Sequence, residues 1–170
     1  WEALINGLGD QGFGDHLDYL RLDPSGRFFL LRPLEDDIAR QGTGAVALKT
    51  FDVMLPIYRT AEAIAVGIAL ANGMGYQPQE TKLSFAFKWT ALSGRSLVSW
   101  ADSKRWFSGY RKAHQAEVSS FIQVPLDTPL SAIGSRVSEV LSNLYDVFGG
   151  FEQPEPFVSN VVAEFLSRRR

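Results

Sequence analysis

Hydrophobic and polar positions alternate most cleanly between Lys82 and Thr90: Leu83, Phe85, Phe87 and Trp89 fall on one side, Ser84, Ala86, Lys88 and Thr90 on the other. Period-two alternation is the mark of a strand with one face on a core. Shorter apolar runs at His16–Leu22 and Arg27–Leu34 flank Asp23-Pro24-Ser25-Gly26. There proline sets φ and glycine is free to take positive φ, which predicts a hairpin. Ser93-Gly94 predicts a second turn into a strand at Ser96–Trp100, and Glu117–Val124 reads as a further strand ending at Pro125. Residues 1–14, with Gly7, Gly9, Gly12 and Gly14, read as a helix tail followed by a loop.

The helical pattern is longest from Phe51 to Met74, where Gly75 is placed as a stop. Ala63 to Ala71 is a run of nine residues without a polar side chain. A helix apolar all round is a buried one. Its small residues would let a sheet approach closely. A bilayer span needs about 20 such residues, so no membrane helix is expected. Thr128-Pro129 opens a helix carrying Leu130, Ile133, Val137, Val140, Leu141, Leu144 and Phe148, closed by Gly149-Gly150. A last helix from about Pro156 would bury Phe157, Val161, Phe165 and Leu166. The order predicts one α+β domain over 1–170: a mostly antiparallel sheet of about five strands, a long buried central helix and two C-terminal helices.

Composition changes this picture little. The chain has 170 residues, 45% hydrophobic and 21% charged, which suits one domain with one core. It begins at Trp1 with no apolar leader pattern, so it reads as a fragment of a longer, cytoplasmic protein. Cysteine is absent, which excludes disulfides, thiolate metal sites and cysteine nucleophiles. A net charge of −2 and a pI of about 5.7 lack the overall basic field of a nucleic-acid binder.

Catalytic signals are weak. Gly7-Leu8-Gly9-Asp10-Gln11-Gly12 matches GxGxxG, but neither a strand before it nor a helix starting inside it is indicated, so we read a chance match. The two histidines, His16 and His114, form no metal-ligand spacing. Glu35-Asp36-Asp37 reads as a solvated connection or as the first turn of a short helix. No catalytic residue, cofactor or metal is assigned, and the chain is not read as an enzyme.

Two features suggest binding. Arg59 and Glu62, three apart on the apolar helix, can pair. Either they lie at its wetter end, or Arg59 faces a pocket or partner. From Trp89 to Tyr110, the aromatics Trp100, Trp106, Phe107 and Tyr110 interleave with Arg95, Lys104 and Arg105. Such residues stack on bases and hold phosphates, and they are equally enriched at protein contacts. The candidate binding residues are thus Arg59, Glu62, Arg95, Trp100, Lys104, Arg105, Trp106, Phe107 and Tyr110, with residues 100–112 as the expected contact segment.

Tyr58-Arg59-Thr60-Ala61-Glu62-Ala63 and Trp89-Thr90-Ala91-Leu92-Ser93-Gly94-Arg95-Ser96-Leu97 together resemble the C-terminal accessory region of bacterial proteins with an Alba-like, Schlafen-type DNA-binding domain. The resemblance implies a regulatory or defence-related protein and supplies no catalytic residues. The leading expectation is a non-catalytic regulatory, sensing or protein-interaction domain, with a protein partner or self-association. The alternatives are a nucleic-acid module using residues 100–112, and a small-molecule sensor or hydrolase with a pocket between the central helix and the sheet.

Overall fold

The computed structural model describes residues 1–6, 17–39, 42–102 and 110–168. It is α+β, but its seven described strands form three small sheets and not a single sheet of five. The first is an antiparallel meander of β1 (Glu2–Asn6), β2 (Leu17–Asp23) and β3 (Arg27–Leu31). The expected turn joins β2 to β3: Asp23 Oδ1 accepts the Ser25 N–H at 2.8 Å, and Gly26 takes φ +85°. Ser25 also holds the Asp23 carboxyl down to about 2. β1 replaces the expected helix tail. Its residues pair with β2 from Glu2↔Arg21 to Asn6↔Leu17, a long-range partnership that local propensity does not encode.

A four-residue helix, α1 (Glu35–Ile38), follows, and then β4 (Thr50–Asp52). The long helix α2 (Leu55–Gly73) starts four residues later than its apolar pattern suggests. Asp52 is the reason: its Oδ1 accepts the N–H groups of Met54 at 2.7 Å and Leu55 at 3.0 Å, ending the strand and satisfying free helix donors. Pro56 sits in the first turn, where its missing N–H costs nothing. Gly75 stops the helix at φ +82° as expected. α2 is not buried all round. Ile57, Ala61, Ile64, Ile68 and Ala71 line one buried face, while Val66 and Ala69 on the other are exposed.

β5 (Lys82–Trp89) pairs antiparallel with β7 (Val118–Pro125). The alternation of β5 holds, but Phe85, Phe87 and Trp89 are half-buried, stacked in a row against the core's edge. Small residues do permit close approach: a Cβ at Gly67 of α2 would lie 2.7 Å from the Phe85 ring. β6 (Ser96–Val98) does not fold back on β5; it runs parallel to β4. Left-handed backbone at Ala91 and Gly94 redirects the chain, and this loop bonds to residues 113–116 instead.

A 3₁₀ turn at Leu130–Ala132 leads into α3 (Ile133–Asp146), and α4 (Glu155–Ser167) closes the fold. The predicted stripe is buried from Ile133 to Phe148, but Leu130, in the 3₁₀ turn, is exposed; α4 buries Val158, Val161 and Val162 most deeply and leaves Phe157, Phe165 and Leu166 partly covered. The core lies between α2, α3, α4, β4 and β7, with Phe51 and Phe148 rings 5.2 Å apart. Residues of β1, β2 and β3 contribute nothing to it.

Candidate functional site

The acidic run forms the first turn of the short helix α1, the second of its two expected readings, and it is not simply solvated, because each carboxylate has a separate cationic or N–H partner. Asp37 receives both ends of the Arg95 guanidinium, Nη1 to Oδ1 at 2.8 Å and Nη2 to Oδ2 at 2.6 Å, and the N–H of Leu48 at 2.7 Å. Burial works against its charge, yet these donors outweigh it and hold the carboxyl below its ordinary value. Asp36 is 4% exposed and accepts the Trp100 indole N–H at 2.9 Å and the Asp52 N–H at 3.2 Å. Burial pushes this carboxyl up, Trp100 and Asp52 N–H pull it back in part, and the charge of Asp52 adds to the rise. Glu35 pairs with Arg59.

Of the expected binding residues, Arg95 is 0% exposed. Besides Asp37, it donates to the carbonyls of Ala91 at 2.7 Å and Thr50 at 2.9 Å, so it ties α1, β4 and the turn before β6 together. It presents no surface to a ligand. Trp100 is half-buried, its indole spent on Asp36 and its backbone N–H on Asp52 Oδ2 at 2.7 Å. Tyr110 is 80% exposed, with the Lys112 ammonium 5.4 Å from its ring centre. Lys104, Arg105, Trp106 and Phe107 lie outside the described residues, as does the GxGxxG segment.

Arg59 and Glu62 do pair, at 3.0 Å, within a longer chain of alternating charge: Glu35, Arg59, Glu62, Arg32, Asp18. Desolvation disfavours the Arg59 cation, but Glu35 and Glu62 together hold its guanidinium above the ordinary value. The chain's role is positional. Arg32, just past β3, grips Asp18 of β2 at 3.1 Å and Glu62 of α2 at 3.4 Å, fastening the meander to the body.

That attachment fixes which face of the meander looks outward. Directly opposed residues share a face. Asp18 lies with Ile5, Ala3, Leu20, Leu22, Phe28 and Leu30 on the side turned towards α2. Leu4, Tyr19 and Leu31 form a row on the other side, beside the row Glu2, Arg21 and Phe29. There Leu4, Phe29 and Leu31 are 68%, 51% and 59% exposed. No residue in the three strands is fully buried. An antiparallel sheet with one wet face ordinarily carries polar residues there. This one carries leucine and aromatic rings on both faces.

A cleft of about 390 Å³ lies between α3 and the segment after Gly149-Gly150, lined by Leu141, Tyr145, Phe151 and Val158 with Ser142 and Asp146 at its polar side. It is not the pocket expected between the central helix and the sheet; Arg59, Glu62 and Arg95 do not line it. Among the described residues no group of three His, Asp or Glu side chains could hold a metal ion, and no helix is long and apolar enough to cross a membrane.

No family model, curated protein or solved structure matches the chain.

Proposed function

We propose that this chain is a non-catalytic interaction domain whose contact surface is the outer face of the β1–β2–β3 meander. One observation carries the reading: Leu4, Tyr19, Phe29 and Leu31 make a contiguous apolar surface on a sheet that adds nothing to the domain's own core. Exposed apolar area of this kind has a free-energy cost in water, and in folded proteins it marks contact sites. The polar clusters support the same reading by their completeness. Asp36, Asp37, Asp52 and Arg95 are spent on N–H groups, carbonyls and each other, which is framework chemistry and not a poised acid–base set. A regulatory role in a bacterial protein with a Schlafen-type domain, as the Tyr58–Ala63 and Trp89–Leu97 resemblance implies, is compatible with a contact domain.

The test is a hydrophobic dye titration. Wild type should enhance anilinonaphthalene sulfonate fluorescence at native pH, and Phe29→Glu with Leu31→Glu should abolish most of the enhancement without lowering the melting temperature. Equal dye binding by wild type and the double variant would refute the meander as the contact surface.

A further inference from the structure

We infer that the occupant of the meander's outer face is a second copy of this chain, packed sheet against sheet about a two-fold axis; this rests on the contact-surface reading above. Charge is the first argument. Every charged side chain of the three strands is paired within its own chain: Glu2 with Arg21, Asp23 with Arg27, Asp18 with Arg32. Such a surface has no unbalanced field to attract a basic or acidic partner, and it does not repel an identical copy. A polyanion such as nucleic acid finds no free cation on these strands.

Area is the second argument. Strands of five, seven and five residues form the sheet. With strands about 4.8 Å apart and about 3.4 Å per residue, the face measures roughly 15 by 20 Å. Counting the relief of its side chains, that is on the order of 500 Å² per copy and about 1,000 Å² for the pair, the lower bound of a specific interface. The geometry suits two sheets about 10 Å apart, the spacing of a β-sandwich. A two-fold axis makes the contact self-complementary, so the Leu4–Tyr19–Leu31 row of one copy meets its counterpart on the other. A contact of this size is far below that of obligate dimers, and we place the exchange between monomer and dimer in the micromolar range.

Sedimentation velocity over low to high micromolar concentration tests this on the 170-residue chain. Wild type should pass from monomer to dimer, with a dissociation constant little changed between low and high salt, since the contact is apolar. Leu31→Glu and, on a different strand, Leu4→Glu should each weaken the dimer about tenfold or more while leaving the melting temperature in place. Phe121→Glu, at the exposed face of β7, should leave it unchanged. Wild type that stays monomeric throughout, or a dimer broken by Phe121→Glu and indifferent to Leu4 and Leu31, overturns the proposal. The dye titration then separates the two failures. A monomer that binds dye through Phe29 and Leu31 overturns only the second copy, and one that binds none overturns the contact surface as well.

Discussion

Arg95 and Asp37 meet end-on, Nη1 and Nη2 against the two carboxylate oxygens at 2.8 and 2.6 Å, with the arginine sealed from water. Arginine's planar fork is what fits this contact, and the carbonyls of Ala91 and Thr50 take two more of its N–H groups. Removing one partner of a buried pair leaves the other uncompensated. Arg95→Met should therefore destabilise the fold by about 3–5 kcal/mol, and Arg95→Lys should also fail to restore wild-type stability because an ammonium cannot reproduce the fork. Urea unfolding of the two variants checks this. Wild-type midpoints would show that the pair holds nothing.

The neighbouring carboxylates should give stability an unusual pH dependence. Asp36 lies above its ordinary 3.8, so the folded chain binds that proton more tightly than the unfolded one. Its ionisation costs stability at neutral pH, and the cost is withdrawn as pH falls towards the ordinary carboxylate range. Asp37 lies below 3.8, so its contribution is present above that value and is lost as pH falls through the lower folded value. Unfolding midpoints should thus rise on mild acidification and drop steeply below about pH 4. Asp36→Asn should flatten the rise, and Asp37→Asn should shrink the drop. Identical pH profiles for all three proteins would contradict these assignments.

Asp52 is the acceptor on which two elements depend. Besides Met54 and Leu55, it takes the N–H groups of Trp100 and Ala101 at 2.7 and 3.0 Å. An asparagine there turns one oxygen into a donor facing donors. Asp52→Asn should cost about 2–4 kcal/mol, and hydrogen exchange should accelerate at both the start of α2 and Trp100–Ala101. Faster exchange at only one of the two places would show that Asp52 does not join them.

Two glycines should respond in opposite ways. A Cβ at Gly134 of α3 would lie 2.5 Å from the Ser159 Cα, a backbone atom that cannot swing away. Gly134→Ala should therefore cost about 1–3 kcal/mol by forcing α3 and α4 apart. At Gly73, in the last turn of α2, a Cβ meets nothing within 4 Å. Gly73→Ala should be neutral or stabilise by up to about 1 kcal/mol, because alanine favours helix. Thermal melts that rank the two the other way would overturn the packing of α3 on α4.

Features written into adjacent residues were legible in the sequence. Asp23-Pro24-Ser25-Gly26 announced its turn, Lys82–Trp89 its strand, and Gly75 and Gly149-Gly150 their helix ends. Features that depend on distant partners were not. β1 exists because β2 pairs with it, and β4 meets β6 across α2 and β5. Asp36 looked solvated because its partner Trp100 is 64 residues away. Phe85 and Phe87 alternate correctly, but period two cannot say how deeply a face is covered, and on a two-stranded sheet it is only half covered. Two local signals were open to reading: Asp52 before Leu55-Pro56 marks a helix start, and Phe28-Phe29-Leu30-Leu31 is an unbroken apolar run of the kind found in strands covered on both faces, here on a strand left largely exposed. The contact surface proposed on the meander rests on the second signal; of the residues singled out by composition, Arg95 and Trp100 are spent on the polar framework, and Tyr110 is exposed.

Hydrogen exchange of the meander as a function of protein concentration tests the central claim most directly. If the outer face of β1–β2–β3 is the surface through which copies associate, amides in residues 17–31 should gain protection as concentration rises, while α3, buried within each copy, exchanges at one rate throughout. Protection of residues 17–31 that stays constant from dilute to concentrated protein, while protection rises elsewhere, would contradict it.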